Sequence, residues 1–285
     1  MLLALLIVVT AGVAVVLYAS LIERNWFAVR HHRIPCLPPG TEAMTVLHIS
    51  DLHLRAQQRR KRAFLKKLAR VQPDLVIGTG DFIGDGRSND AAVDAVTSIG
   101  AREGSLYVLG SNDYYASKPK NPLRYFSKKR RHVFGKPNPW RDLVEKLNAR
   151  GWQLINNTTA TIDGIDIVGL DDAHIDRADL SVARARSEDG FRLAVAHSPD
   201  VAEQLAELGY DLIVCGHTHG GQLRLPGYGA LVTNSRLPRG MARGVSRIGD
   251  AWLHVSAGLG TSMYAPIRFA CRPEVCVLEL VPRDS

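Results

Sequence analysis

"LIVCGHTHGGQ", residues 212–222, drives an apolar run straight into two histidines one residue apart, fenced by Gly216, Gly220 and Gly221. A strand that ends in an abrupt turn accounts for the glycines, which tolerate backbone angles and close approaches that other residues cannot. It does not account for the histidines. Alternate residues of an extended segment point the same way, so His217 and His219 can offer both imidazoles to one object.

The same arrangement recurs along the chain. "TVLHISDLH" (45–53) ends a strand with Asp51 and His53, and "DLVIGTGD" (74–81) ends one with Asp81. "SLYVLGSND" (105–113) ends in Asn112 and Asp113, and "RLAVAHS" (192–198) ends in His197 and Ser198. Singly, an Asp after a strand is a turn residue or a helix cap, and a lone His is a satisfied polar side chain. Jointly, five strand ends deliver carboxylate, amide and imidazole to the edge where open α/β sheets bind ligands. Mixed oxygen and nitrogen donors suit Mn, Fe or Zn, not calcium or a thiolate site. Asp51, His53, Asp81, Asn112, His197, His217 and His219 exceed the needs of one tetrahedral ion. Two divalent ions sharing a bridging carboxylate fit better, an arrangement that clamps a phosphoryl group and generates hydroxide at neutral pH.

Around these stretches, short apolar strands alternate with amphipathic helices at Arg59–Val71, Asp90–Arg102, Trp140–Ala149 and Val201–Leu208. From Ala230 onward the pattern turns to hairpins, including "AWLHVSAG" (251–258) and "EVCVLEL" (274–280). The expected class is α/β: a two-sheet sandwich flanked by helices. No internal repeat is visible.

Residues 1–22 carry no charged side chain before Glu23, and about 20 apolar residues span a bilayer as a helix. The segment lacks a basic leader and exceeds a signal peptide's apolar core. It reads as a single-pass transmembrane anchor, in preference to a cleaved signal peptide or a buried core helix. Arg24, Arg30 and Arg33 follow it and nothing basic precedes it, which puts the following domain on the cytoplasmic face of the cell membrane. Residues 23–44, with "HHRIPCLPPG" (31–40), read as an irregular linker, and residues 45–285 as the catalytic domain.

An apolar share of 46% in 285 residues excludes a disordered chain. The net charge of +8 favours anionic partners without choosing among them. Cys36, Cys215, Cys271 and Cys276 show neither paired CxxC spacing nor a disulfide framework, and lean toward a reducing compartment. Cys271 and Cys276 can pair if the fold brings them together. Residues 117–141 form an insertion rich in Lys, Arg and Pro with aromatics interleaved. It is either a solvated loop or a flap that grips anionic headgroups or covers the site. Nothing in it resembles a base-reading module, which argues against nucleic acid.

The ordered set "DLH" at Asp51, "GD" at Gly80, "GSND" at Gly110, "AHSP" at Ala196 and "GHTHGGQ" at Gly216 resembles the calcineurin-like metallophosphoesterase superfamily. With the anchor and "GLGTS" at Gly258, the chain looks most like its membrane-attached bacterial branch, over residues 45–281. The resemblance implies a binuclear metal-dependent phosphohydrolase. Asp51, His53 and His219 would hold one ion, His197 and His217 the other with an Asn of the third motif, and Asp81 would bridge them. A hydroxide held by the metals would attack phosphorus in line.

The third motif departs from the family's Gly-Asn-His-Asp. An ungapped match puts Ser111 in the metal slot and Asn112 in the histidine slot. A one-residue slip keeps Asn112 as ligand and leaves Asp113 in the acid's place. The slip is preferred, because an amide oxygen is the better ligand. Either way the family's catalytic histidine is missing. General acid help contributes roughly 10²–10⁴-fold and matters least for an acidic leaving group, so a phosphoanhydride is expected to be cleaved better than an alkyl phosphodiester. Arg268, Tyr114, Tyr115 and His174 are candidates to contact substrate. The expected substrate is a phosphodiester or pyrophosphate, of a phosphorylated small molecule or of a lipid or lipid-linked compound. A tethered nucleotide phosphodiesterase and a non-catalytic membrane scaffold with a degenerate site are the alternatives.

Overall fold

The computed structural model describes residues 1–118, 135–184 and 190–283. Among these, one six-stranded sheet contains β1 (Ala28–Leu37), β2 (Met44–Ile49), β3 (Leu75–Thr79), β4 (Gly104–Val108), β5 (Trp152–Leu154) and β14 (Glu274–Pro282), in the order β1-β14-β2-β3-β4-β5. A second holds β6 (Thr158–Ile162), β7 (Ile165–Leu170), β8 (Arg192–Ala196), β9 (Leu212–Cys215), β12 (Gly244–Ile248) and β13 (Ala251–Val255), in the order β12-β13-β9-β8-β7-β6. A short hairpin, β10 (Arg224–Leu225) with β11 (Gly229–Ala230), stands beside them.

Central strands covered on both faces read as unbroken apolar runs, and "LVIGT" in β3 and "LIVC" in β9 are buried throughout. Val46, Ile77, Leu106 and Val108 of the first sheet pack against Ile167, Leu193, Val195 and Val214 of the second. Helices Arg59–Lys67, Asn89–Val96 and Trp140–Asn148 cover the outer face of the first sheet, and Ala202–Glu207 covers that of the second. Strands β2, β3 and β4 run parallel, as do β7, β8, β9 and β13. Their carboxyl ends reach a common edge, where the following turns meet.

The expected linker is corrected in part. Residues 28–37 form β1, paired in parallel with β14 from Ala28↔Glu274 onward. Ile34, Cys36 and Leu37 are buried. Pro35 made the stretch read as irregular, yet an edge strand tolerates proline because one row of its amides has no partner to lose. The Pro35 carbonyl accepts the Trp252 indole N–H at 3.0 Å across the sandwich. Strand β14 lies at the far end of the chain, so no local pattern could reveal the pairing.

The apolar segment is helical at Leu2–Leu17, with no buried residue, and its helical path continues to Asn25. A buried core helix is therefore excluded, and an anchor or a signal sequence remains. Of the basic insertion, residues 119–134 lie outside the described residues. All four cysteines are buried and free, so Cys271 and Cys276 do not pair.

Strand β1 makes a direct prediction for chemical denaturation. Ile34→Ala should cost about 2–5 kcal/mol as a buried truncation, and Val29→Ala, on the exposed part of the same strand, less than about 0.5 kcal/mol. Two neutral substitutions would return the segment to a linker.

Candidate metal centre

Five of the expected ligands sit where a non-glycine backbone rarely goes. Asp51 (φ 48°), His53 (39°), Asp81 (54°), His217 (68°) and His219 (50°) all lie in the left-handed region. Each such residue costs on the order of 1–3 kcal/mol and persists only where its surroundings over-determine it. The surroundings are visible. The Asp113 carboxylate accepts the N–H groups of Asp81 (2.8 Å), Phe82 (2.8 Å), Ile83 (3.2 Å) and Gly110 (3.0 Å). The N–H groups of Asp51 and His53 donate to the carbonyls of Gly80 and Asp81 at 3.0 and 2.8 Å. At Gly216 a Cβ would stand 1.8 Å from the Ser50 Oγ, so only glycine lets the turn pass that close.

These turns aim the side chains inward. His53 Nε2 lies 3.2 Å from His219 Nε2 and 3.3 Å from Asp81 Oδ2. His219 Nε2 is 3.6 Å from Asp51 Oδ1, a buried oxygen with no hydrogen-bond partner. On the other side His197 Nε2 is 3.6 Å from Asp81 Oδ2 and 3.3 Å from His217 Nδ1. The outer nitrogens fix the tautomers. His197 Nδ1–H donates to the Thr79 carbonyl at 2.6 Å, and His217 Nε2–H to that of Asn234 at 3.3 Å. With both rings neutral, two bare lone pairs would face each other at 3.3 Å. That contact is repulsive unless a cation or a proton lies between them.

The electrostatics agree. Burial opposes charge on His197, but Asp81, Asp172 and Asp51 outweigh it and raise it to about 10, so a proton takes the place between the rings whenever a cation does not. Burial, aided by neighbouring imidazoles, holds His217 and His219 well below the ordinary range, in their neutral, ligating form. Burial pushes Asp81 up, yet His197, His53 and two donors from Asn112 prevail and hold it at about 2. The pocket carries negative charge that the protein alone leaves poorly compensated. Asp51, His53 and His219 bring ligand atoms within 4.8 Å of one another, and so do Asp51, Asp81 and His197. Donor chemistry and geometry both fit divalent cations, with Asp81 Oδ2 touching both halves.

The third motif is corrected. Asn112 donates its backbone N–H and its Nδ2 to the two Asp81 oxygens at 2.8 and 2.7 Å, while its Oδ1 accepts the Ser117 hydroxyl at 2.6 Å. Its amide oxygen faces away from the metal cluster, so it acts as a hydrogen-bond donor to Asp81, not as a ligand. Asp113 is fully buried and occupied by backbone N–H groups, which removes it as a proton donor to substrate. Neither residue therefore takes the place that the one-residue slip gives it.

Arg268 is corrected as well. It has no exposed surface, and its guanidinium donates to the carbonyls of Ala257, Gly258, Gly260 and Cys271. It braces the loops beneath the site and cannot touch substrate. Tyr114 is buried with its hydroxyl on Asp171 at 2.9 Å, and it too is absent from the opening. Tyr115 is half-buried and bridges Pro137. His174 does join the site, its ring 4.3 Å from that of His217. Sequence reasoning missed Asp172, a buried carboxylate whose Oδ2 has no partner and whose charge acts on His197. It follows β7, so the strand-end rule that found the other residues would have found it.

Residues 44–221 match the family model described as calcineurin-like phosphoesterase. The chain belongs to this family. It is accordingly a hydrolase of the metallophosphoesterase class. It is 26% identical over 280 residues to the metallophosphoesterase YkuE of Bacillus subtilis, covering 92% of this chain and 88% of that one. It is 28% identical to the UDP-2,3-diacylglucosamine pyrophosphatase LpxG of Chlamydia muridarum, over 95% and 94% of the two chains. To the phosphodiesterase YaeI of Escherichia coli it is 28% identical, over 93% and 92%.

The family assignment makes Asp113 the informative substitution. Asp113→Asn puts an amide among N–H donors, and should cost about 1–3 kcal/mol for each buried group left unpaired, with a fall in bound metal. Denaturation and metal analysis of the purified protein check this. A variant of unchanged stability and metal content that had lost turnover would make Asp113 the acid after all.

Proposed function

We propose that the protein is a membrane-anchored, two-metal phosphohydrolase that cleaves a phosphoanhydride or phosphodiester bond of a lipid-linked substrate at the cytoplasmic bilayer surface. One observation carries the reading. The cleft that opens on His53 is walled by Arg24, at the base of the apolar helix, together with Arg55, Gln58, Gly84 and residues 261–263 and 266. A substrate whose acyl chains stay in the bilayer would bring its phosphates to this cleft.

Several features support it. The helix base belongs to the folded domain: the Glu23 carboxylate accepts the N–H groups of Ala270 and Cys271 at 3.0 and 2.6 Å, and the Ala19 carbonyl accepts that of Arg268 at 3.0 Å. A leader removed by cleavage would leave these donors unpaired. Trp26 and Tyr264 are half exposed near the helix base, as residues of an interfacial aromatic belt are. LpxG, similar along nearly the whole chain, is by name a pyrophosphatase of a diacylated sugar nucleotide.

Two divalent ions (Mn, Fe or Zn) held by Asp51, His53, Asp81, His197, His217 and His219 would supply Lewis-acid charge and a more acidic water. The chain's own residues do the rest. Asn112 fixes the orientation of the Asp81 carboxylate, and Arg24 and Arg55 offer donors to phosphoryl oxygens. An amide at Asn112 cannot protonate a leaving group, which favours an acidic leaving group such as phosphate over an alkoxide.

Full-length protein in detergent with Mn²⁺ tests the reading. A diacylated sugar-nucleotide pyrophosphate should be hydrolysed at least about tenfold faster than a dialkyl phosphodiester, and Asp81→Asn should abolish both activities. Arg24→Ala and Arg55→Ala should raise KM for the lipid substrate more than that for a soluble aryl phosphodiester. Equal KM changes for both substrates would remove lipid presentation. A preference for water-soluble nucleotides would favour the tethered nucleotide phosphodiesterase, and no metal-dependent turnover the scaffold.

A further inference from the structure

Away from the family site, the sandwich interior holds a second group of ligating side chains. His32 comes from β1, Cys276 from β14 and His254 from β13, and their candidate ligand atoms lie within 4.8 Å of one another. His254 and Cys276 are wholly buried, while His32 is half-buried on the edge strand.

The hydrogen bonds decide which nitrogen of His254 is bare. The Ser50 hydroxyl donates to Asp51 Oδ2 at 2.5 Å. The Ser50 oxygen then accepts the Thr79 hydroxyl at 2.7 Å. Thr79 has spent its proton, so its Oγ1 accepts His48 Nε2–H at 2.8 Å. Burial holds His48 neutral, lowering its pKa to about 3. Its Nδ1 is therefore bare and accepts His254 Nδ1–H at 3.1 Å. Burial also keeps His254 neutral, well below its ordinary pKa, so His254 Nε2 carries a lone pair and no proton. That nitrogen is buried and has no hydrogen-bond partner.

An unpaired buried acceptor is costly, and the groups nearest to it are a thiol and an imidazole. Burial, aided by Glu274, pushes the Cys276 thiol well up against a smaller opposing hydrogen bond from Ser256, so the thiolate forms only as a cation binds. Glu274, the nearby carboxylate, is already paired with Arg243 and Arg30.

We propose that His32, His254 and Cys276 form a metal site distinct from the family centre, taking one zinc-like ion through two imidazole nitrogens and one thiolate. Zinc accepts this donor set, with bonds of about 2.0–2.1 Å to nitrogen and about 2.3 Å to sulfur, so small side-chain rotations suffice to close it. His32 is the half-buried member of the three, and a water on its side would complete the coordination. On binding, the Cys276 S–H proton leaves to water as the metal–sulfur bond forms, so affinity falls with acid. The ion ties β1 to the opposite sheet, and its charge on His254 strengthens the chain of donors that ends at Asp51. This inference does not rest on the substrate proposed above.

Cobalt(II) tests it, because thiolate ligation produces an intense near-ultraviolet charge-transfer band that oxygen and nitrogen ligands do not. Full-length protein stripped with chelator and titrated with Co²⁺ should show this band, with the intensity of one thiolate-bound ion per chain beside the ions of the family centre. Asp81→Asn and Cys215→Ala should keep it, and Cys276→Ser should abolish it. His32→Ala should weaken Co²⁺ binding at this site at least tenfold, which serves as the readout if Cys276→Ser does not fold. Absence of the band from the unaltered protein overturns the proposal. So does a band that survives Cys276→Ser, or one whose titration is indifferent to His32→Ala.

Discussion

The site depends on one buried carboxylate that binds only backbone. Asp113 gathers N–H groups from the 81–83 turn and from Gly110, and so fixes the spacing between the ends of β3 and β4. Burial and the neighbouring Asp81 raise Asp113 to about 7 against these donors, and each hydrogen bond to its ionised form is worth roughly 1.5–3 kcal/mol. That is the scale needed to hold left-handed backbone at Asp51, His53 and Asp81. A looser turn would relax to ordinary angles and swing the side chains apart. The strain is thus a means of aiming, with rigid strands supplying the fixed points.

The apolar helix is coupled to this centre through packed polar contacts. Glu23 at its base caps Ala270 and Cys271. Next to them Arg268 spreads its guanidinium over the carbonyls of Ala257, Gly258 and Gly260, and the Gly260 N–H donates to the Asp51 carbonyl at 2.6 Å. A buried arginine satisfied by carbonyls is an expensive brace, since removing it leaves several acceptors unpaired. Its place explains why a basic residue stands so near the cluster without facing it. It orders the path from helix to ligand loop.

Histidines here divide by what their second nitrogen does. His197 and His217 each spend one N–H on a backbone carbonyl and turn the other nitrogen into the cluster. His48 and His254 form a relay in which each proton is committed toward Asp51. The tautomers are set by neighbours far apart in the chain, and the low dielectric of the interior makes each choice stiff.

How much of this was legible in the sequence follows from range. Strands covered on both faces must be apolar and must end in turn residues, so "LVIGTGD" and "LIVCGHTHGG" disclosed both sheets and the edge where ligands gather. The positions of Asp51, His53, Asp81, His197, His217 and His219 at strand ends were readable for the same reason. Side-chain direction was not. Asn112 and Asp113 differ by one position, and only the close approach of the 81–83 turn assigns one to steady Asp81 and the other to hold backbone. Nor could residues 28–37 be known as a strand, because their partner lies more than 240 residues away and Pro35 argues locally for a loop. By itself the sequence determined the α/β class, the ligand types and the apolar helix, since periodicity and composition are local properties. Tertiary structure alone decided which polar groups face the cavity, because burial and hydrogen bonding depend on neighbours that the chain brings together only by folding.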